Sequence, residues 1–397
     1  MTSSPPAPRT VSILTGGADK PYALGLAAAL MEKGVAFDFI GSDYVDGPSL
    51  HGTPLVNYLN FRGDQNPKAS SLTKALRLLK YYLGLLKYAA TAQPKIFHIL
   101  WHNKFDVFDR TLLLLYYKAL GKKLVFTAHN VNAGLRDSSN SWLNRLSLQV
   151  QYRLMDHTFV HTAKMKADLC RDFRVPESKA TLIPFGINNT LPNTALTGAE
   201  ARQRLGLGPS DKVILFFGNI CAYKGVEYLT EAWAALAPKY PEARLIIAGR
   251  PREQDAAYWR EVQAGLARGS WGARVLEKIE YISEADVEVY FKAADVLVLP
   301  YTYIFQSGVL FLGYSFGLPV LAADVGSLKE EIVEGETGHI FQPQNAADLA
   351  RVLEKYFQSD LYRQLPQRRR RIQDFANERY SWAKVAALTT ACYQSLL

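Results

Sequence analysis

A lysine in a strand-to-helix turn is the first residue here whose type and setting suggest chemistry. Lys224 lies in GNICAYKGVEYL, after an apolar run and before a helical pattern, with Gly225 next to it. An ammonium beside helix-start amides lowers the cost of bringing in phosphate charge, so the turn predicts a diphosphate site. It is not a Walker A sequence. A second such start lies in QSGVLFLGYSFG, where Ser307 and Gly308 would offer backbone N–H groups and a glycine permitting close approach. His129 ends the apolar run LVFTAHN, at a strand terminus where parallel sheets bind ligands. GGADKPY, with Gly16 and Gly17, lacks dinucleotide spacing and reads as a glycine turn.

These residues need a scaffold of strands, and the sequence supplies one twice. VSILTGG, FDFIGSD, IFHILWHN, LVFTAHN, HTFVHTA and ATLIPFG read as strands. PYALGLAAALMEKG, RTLLLLYYKALGKK and AKMKADLCRDF read as helices between them. The pattern pauses at GINNTLPNTALTGAEA, a linker by composition. It resumes with the strands KVILFFGN, ARLIIAG, VLEKIEYI, DVLVLPY and PVLAADV, and with helices such as GVEYLTEAWAALAPKY. Alternation of this kind predicts an α/β protein with two doubly wound parallel sheets. Polar residues stand at the strand ends: Gly16-Gly17, His102-Asn103 and His129-Asn130, then Gly218-Asn219, Gly249-Arg250 and the 301–308 loop. Two such edges facing each other would form a cleft. The expected division is a loose tail at 1–9, a first domain at 10–190, a second at 191–375 and a C-terminal helix at 376–397 crossing back to the first. The run RRRR at 368–371 reads as a solvated helix face.

The chain has 397 residues, 48% hydrophobic and 21% charged, which suits two folded domains and excludes wholesale disorder. Cys170, Cys221 and Cys392 are far apart, form no metal or redox spacing, and fit a reducing compartment. No apolar run reaches the roughly 18 residues that span a bilayer. Net charge is +9, and it is uneven. Residues 1–190 carry 23 basic and 13 acidic side chains, whereas 191–397 carry 23 and 24. The first half is expected to face something anionic. No nucleic-acid module is recognisable, so nucleic acid is not an expected partner.

LTGG, TAHN, FFGNICAYKG and SFGLPVLAADVGSLKEEIVEGETGHIF together resemble the family 4 glycosyltransferases of the GT-B class, over about residues 10–395. The resemblance implies two Rossmann-like domains, a nucleoside diphosphate-sugar donor and transfer with retention of configuration. It implies no metal for donor binding and no cofactor. It would place the donor diphosphate on Lys224 and the donor sugar near His129. Gly16 and Gly17 would approach the phosphates or acceptor, amides of Ser307, Gly308 and Val309 would meet the donor, and Glu330 or Glu331 would lie near the nucleotide. Lys20, Tyr22, His102 and Asn103 are expected on the acceptor side. Three positions depart from the family pattern. Asn219 stands where an arginine is common, and Ile304 and Leu312 stand where two glutamates are common. Arg250 could replace the lost arginine. No acid occurs between Asp295 and Asp324. A missing ribose carboxylate forfeits a charge-assisted hydrogen bond of about 1.5–3 kcal/mol.

Residues 65–105 hold seven basic side chains and no acid. On a helix, Arg77, Lys80 and Lys87 share one face, with Lys74 nearby. A basic helix with interfacial tyrosines suits an anionic membrane surface. The expectation is a cytoplasmic retaining glycosyltransferase, peripheral on the inner face of the cell membrane, acting on a saccharide or lipid-linked acceptor. The rivals are a catalytically weak GT-B partner subunit and a GT-B-fold nucleotide-sugar epimerase, the latter needing cleft carboxylates that the second-domain loop lacks.

Overall fold

The computed structural model describes residues 9–397 apart from 18, 67, 137–139, 188–190 and 270, so most of the expected 1–9 tail lies outside the described residues. The chain divides into two compact units. One takes in the described residues up to Gly186 together with Tyr380–Leu397, and the other is Ile187–Arg379.

The first unit is built on seven parallel strands: β1 (Val11–Leu14), β2 (Phe37–Gly41), β3 (Val56–Asn60), β4 (Ile96–Ile99), β5 (Lys123–Ala128), β6 (His157–Val160) and β7 (Ala180–Leu182). Their order is β3-β2-β1-β4-β5-β6-β7. Val11 pairs with Phe37 on one side and Ile96 on the other, so the strand order reverses between β1 and β4 while every strand stays parallel. That reversal leaves a crevice beyond the carboxyl ends of these strands. The central strands are buried on both faces, which is why they read as unbroken apolar runs.

The second unit repeats the plan with β8 (Lys212–Phe217), β9 (Ala243–Ala248), β10 (Val275–Lys278), β11 (Val296–Leu299), β12 (Val320–Ala323) and β13 (Gly338–Phe341). Their order is β10-β9-β8-β11-β12-β13, all parallel, and the reversal falls between β8 and β11. Its carboxyl edge therefore carries Gly218-Asn219 beside the loop that begins at Tyr301.

The last helix differs from expectation. The segment from 376 is not one helix: Leu365–Arg379 belongs to the second unit, and Trp382–Leu396 starts afresh after the N-cap Ser381. The later helix belongs to the first unit. A Cβ on Gly25 or Gly186 would collide with the Trp382 ring, so both glycines make room for it. Tyr393 reaches buried His98 at 2.6 Å. The arginine run is also not simply solvated. Arg369 turns inward and donates to the carbonyl oxygens of Phe291, Ala294 and, at 3.1 Å, Phe316.

Candidate functional site

At the reversal of the first sheet, Gly16 and Gly17 adopt φ of 60° and 72°. A Cβ on Gly16 would lie 2.6 Å from the His102 carbonyl oxygen, so only glycine lets the β1 and β4 loops meet this closely. The loop is held from outside: Arg62 donates to the Gly16 carbonyl and Gln65 to that of Gly17, at 2.9 Å. Asp19 then caps the helix Lys20–Glu32 through the Tyr22 N–H, with Pro21 in its first turn. Burial pushes the Asp19 carboxyl up, which makes it an acid at this edge that the sequence reading passed over. Its signal was the Asp-x-Pro helix start within the glycine turn.

His129 stands at the end of β5 inside an aromatic cage. Its ring stacks on Trp101 at 3.7 Å between centroids, with Tyr22 at 4.6 Å edge-on and Phe185 at 5.8 Å. Nδ1 lies 3.2 Å from His161 Nε2, whereas Nε2 is buried without a partner among the described residues. Burial first, then the neighbouring His161 and His98, hold its pKa well below the usual histidine value, so the ring is neutral near pH 7.

Three of the four residues expected on the acceptor side make contacts within the fold. Tyr22 is 2% exposed and forms a wall of the His129 cage. His102 Nε2 lies 3.0 Å from the Gln151 amide oxygen, and burial drives its pKa down to about 3. Asn103 accepts from Tyr81 and donates to Asp109 at 3.1 Å, inside a network that also takes the Tyr82 hydroxyl. These side chains fix the loop after β4, because buried polar atoms must be paired. Lys20 opens the helix and is half-buried.

At the reversal of the second sheet, Lys224 is only 7% exposed. Its ammonium lies over the rings of Tyr301 and Phe216, at 5.5 and 5.8 Å. Burial is the main influence on it and pulls its pKa down to about 8; among the described residues, no carboxylate is one of the charges that act on it. Gly225, at φ 61°, completes the turn where a Cβ would lie 2.1 Å from the Pro300 carbonyl oxygen. Lys224 meets the other expected phosphate-binding element at Gly218. A Cβ built there would lie 2.9 Å from Lys224 Nζ and 3.6 Å from Val309 Cγ2. The helix Gly308–Ser315 begins at that point, capped in position only by Ser307, whose side chain makes no capping bond. No acceptor is found for the Gly308 or Val309 N–H among the described residues.

The helix that follows Lys224, Val226–Leu236, corrects one expectation. Its first amide is not free: the Tyr258 hydroxyl, 2.8 Å away, accepts from Val226 N–H and donates to the Glu227 carboxylate. The Gly225 and Tyr228 amides bond within the turn. Lys224 itself and the Gly308–Ser315 helix start therefore remain as the candidate anion-binding groups. Asn219 and Arg250 are exposed at the same edge, with Arg250 over the Tyr281 ring at 5.5 Å. Ile304 and Leu312 are buried, so apolar packing occupies both positions where acids were sought. Ser327 binds the Phe305 carbonyl at 2.8 Å, and Gly326 sits against the Ile304 carbonyl, fastening this loop. Glu330 is exposed, whereas Glu331 is buried with Arg379 4.0 Å away. Among the described residues, no group of three or more His, Cys, Asp or Glu side chains could hold a metal ion.

The helix Ser71–Thr91 carries the basic stretch, and it differs from the expected face in two ways. Arg77 is paired with Asp64 at 2.9 Å, so it is not a free cation. Tyr81 and Tyr82 are buried and hydrogen-bonded rather than interfacial. Lys74, Lys80 and Lys87 are exposed. Beside Lys80 and Lys87 runs a stripe that the sequence reading did not separate from the core. Leu72, Leu76, Leu79 and Leu83 are 71%, 56%, 57% and 57% exposed. No helix among the described residues is long and apolar enough to cross a membrane.

Comparison with known proteins agrees with this architecture. The family model described as Glycosyltransferase Family 4 matches residues 20–191, and that described as Glycosyl transferases group 1 matches 211–359. A D-inositol 3-phosphate glycosyltransferase of Streptomyces scabiei is 30% identical over 62% of this chain and 55% of its own. One from Corynebacterium aurimucosum is 27% identical over 60% and 58%. The chain thus spans less than two thirds of these two relatives. An uncharacterised glycosyltransferase of Methanocaldococcus jannaschii is 24% identical over 93% of this chain and 92% of its own. Among solved structures, sucrose-phosphate synthase from Thermosynechococcus elongatus superposes with a TM-score of 0.75 at 21% identity, covering 97% and 98% of the two chains. HepE from Anabaena, in complex with UDP-glucose, gives 0.72 at 17%, covering 97% and 99%.

Proposed function

The chain belongs to the family 4 glycosyltransferases, and from that premise we propose that it moves a sugar from a nucleoside diphosphate-sugar to a saccharide or lipid-linked acceptor, with retention of configuration. One observation carries the reading: a buried ammonium on which no carboxylate acts, Lys224, beside the open amides of Gly308 and Val309. A protein leaves a buried charge without a counterion only at a cost. A diphosphate is the counterion that this lysine and helix start would receive. In the reaction the leaving diphosphate gains negative charge as the glycosidic bond breaks, and it takes the proton of the attacking acceptor hydroxyl on the same face. Lys224 and the two amides act where that charge grows. His129, neutral and with one ring nitrogen unpartnered, is assigned to a donor-sugar hydroxyl. The UDP-glucose complex of the HepE fold neighbour supports a nucleotide-sugar donor. Calorimetric titration with UDP-, GDP- and ADP-sugars tests the reading. Binding of one class, lost in Lys224→Met, is expected; no binding of any would overturn it.

The acceptor side of the reading is a peripheral enzyme on an anionic membrane surface. The exposed leucines 72, 76, 79 and 83 recur at helical spacing and form an apolar stripe, with Lys80 and Lys87 alongside. A groove of about 440 Å³ lined by Arg62, Arg77, Lys80 and Lys87 adjoins the helix. Apolar side chains would enter the acyl boundary while lysines meet lipid phosphates.

A further inference from the structure

The hydrogen-bond partners of His129 determine where its proton sits. His161 ends β6, and its Nδ1 lies 3.2 Å from the Ile183 carbonyl oxygen. A carbonyl only accepts, so His161 Nδ1 carries a proton. A neutral imidazole has one N–H, and therefore His161 Nε2 presents a lone pair. That nitrogen faces His129 Nδ1 at 3.2 Å. His129 must then donate from Nδ1, which leaves its own Nε2 as a lone pair. Nε2 is also the ring atom with no partner. The argument needs both rings neutral, and their surroundings keep them so. Tyr22 and Phe185 pack against both rings, and Trp101 stacks on His129. Burial lowers the pKa of His161 to about 4 and that of His129 well below its usual range.

We propose that His161 is a positioning residue: the relay from the Ile183 carbonyl through His161 holds His129 as its Nδ1–H tautomer, making His129 Nε2 an acceptor for a substrate hydroxyl. The proposal rests on the assignment of His129 to the donor sugar and adds its direction. The sugar must donate at that atom, so a deoxy or O-methyl sugar would leave Nε2 unpaired. A site built to pair a hydroxyl rejects the analogue that lacks it, because its buried polar atom is then stranded. His161 touches no substrate in this scheme and works through the ring beside it. Free histidine in water favours the opposite tautomer, with the proton on Nε2, so the relay reverses a default.

The test reads the proton directly. The full chain, labelled with ¹⁵N-histidine and free of ligand, is recorded at pH 7.5 by long-range ¹H–¹⁵N correlation, and His129→Gln assigns the ring by removing its peaks. The wild type is expected to show His129 with a protonated Nδ1 and a bare Nε2. His161→Phe keeps an aromatic ring in the cage but offers no lone pair, and should move His129 toward the Nε2–H form. His161→Gln, whose amide can both accept from His129 and donate to Ile183, should restore the wild-type pattern. A wild-type His129 protonated on Nε2, or an unchanged tautomer in folded His161→Phe, would overturn the proposal. Thermal melts establish folding. Should His161→Phe not fold, the wild-type spectrum decides alone. Because no nucleotide is present, failure of the donor assignment leaves this result untouched.

Discussion

Replacing Lys224 by Met should make the unliganded protein more stable and nearly unable to bind its nucleotide. The lysine is buried without a carboxylate, and its pKa falls from 10.5 to about 8. At about 1.4 kcal/mol per pH unit, that fall corresponds to a penalty on the order of 3 kcal/mol for holding the charge in the folded state. The unfolded chain keeps its lysine protonated up to the normal value, whereas the folded chain releases the proton near pH 8. Stability from this group is therefore at its lowest below about pH 8. It rises with pH between about 8 and 10.5, where the unfolded state binds more protons. Methionine fills a similar volume and carries no charge. At pH 7, Lys224→Met should gain about 1–3 kcal/mol, allowing for relaxation around the charge. For a unit of this size that raises Tm by roughly 2–4 °C per kcal/mol. The gain should vanish near pH 10.5. Nucleotide affinity should fall about 10- to 150-fold, the worth of a charge-assisted hydrogen bond of about 1.5–3 kcal/mol. Differential scanning calorimetry at both pH values, with titration of the nucleotide found in the screen, measures all of this. A variant that melts at or below the wild-type temperature at pH 7, or one that binds nucleotide normally, would refute the reasoning.

Other consequences are as concrete. Gly225→Ala should destabilise the second unit by more than about 1–3 kcal/mol, because a left-handed φ is joined to a backbone collision at Pro300; an unchanged melting curve would contradict the geometry. His129→Ala should depress sugar transfer far more than affinity for the free nucleoside diphosphate, and equal losses in kinetics and calorimetry would mark the histidine as structural. Changing Lys80 and Lys87 together to Ala should weaken partitioning onto anionic vesicles by roughly 30-fold at low salt, at about 1 kcal/mol per lysine. Leu76→Ser with Leu79→Ser should weaken it without changing the salt dependence. Co-sedimentation that is unmoved by either set would leave the stripe without a lipid role.

Legibility in the sequence followed burial. Central strands such as VILFF and LVFTA are covered on both faces and show as apolar runs. The two strands that the reading did not pick out, β3 and β13, are both sheet edges. VNYLN contains two asparagines and is only partly buried, and GHIF opens on a glycine directly after the turn-like EGET, so neither produces the signal of a central strand. Strand ends were legible for the same reason as the strands, and they delivered Gly16, His129, Gly218 and Lys224 to the right edges. Side-chain direction was not. Tyr22 follows the glycine turn in sequence, yet Trp101, Phe185 and Trp382 arrive from distant segments to enclose it. Tyr258 occupies the Val226 amide from 32 residues away. Asp64 borders the basic stretch in the sequence, but only the fold shows it returning to Arg77.

The absence of acids between Asp295 and Asp324 has a structural counterpart. Ile304 is buried where its carbonyl meets Gly326, and the Phe305 carbonyl takes both the N–H and the hydroxyl of Ser327. The loop is thus fixed by packing and backbone hydrogen bonds, with no ion pair needed to hold its shape. A carboxylate at 304 or 312 would have to be buried, at a cost of several kcal/mol. It would also bring negative charge into the segment that leads to, or forms, the Gly308–Ser315 helix. The helix amides and Lys224 are useful to a diphosphate because the field around them is positive, and a buried acid there would oppose it. On the proposed reading, what the loop gives up in hydrogen bonding to the nucleoside it would retain as a positive site for the diphosphate. Affinity in this chain should accordingly reside more in the phosphates than in the ribose, which makes the lysine at 224 the group on which donor binding turns.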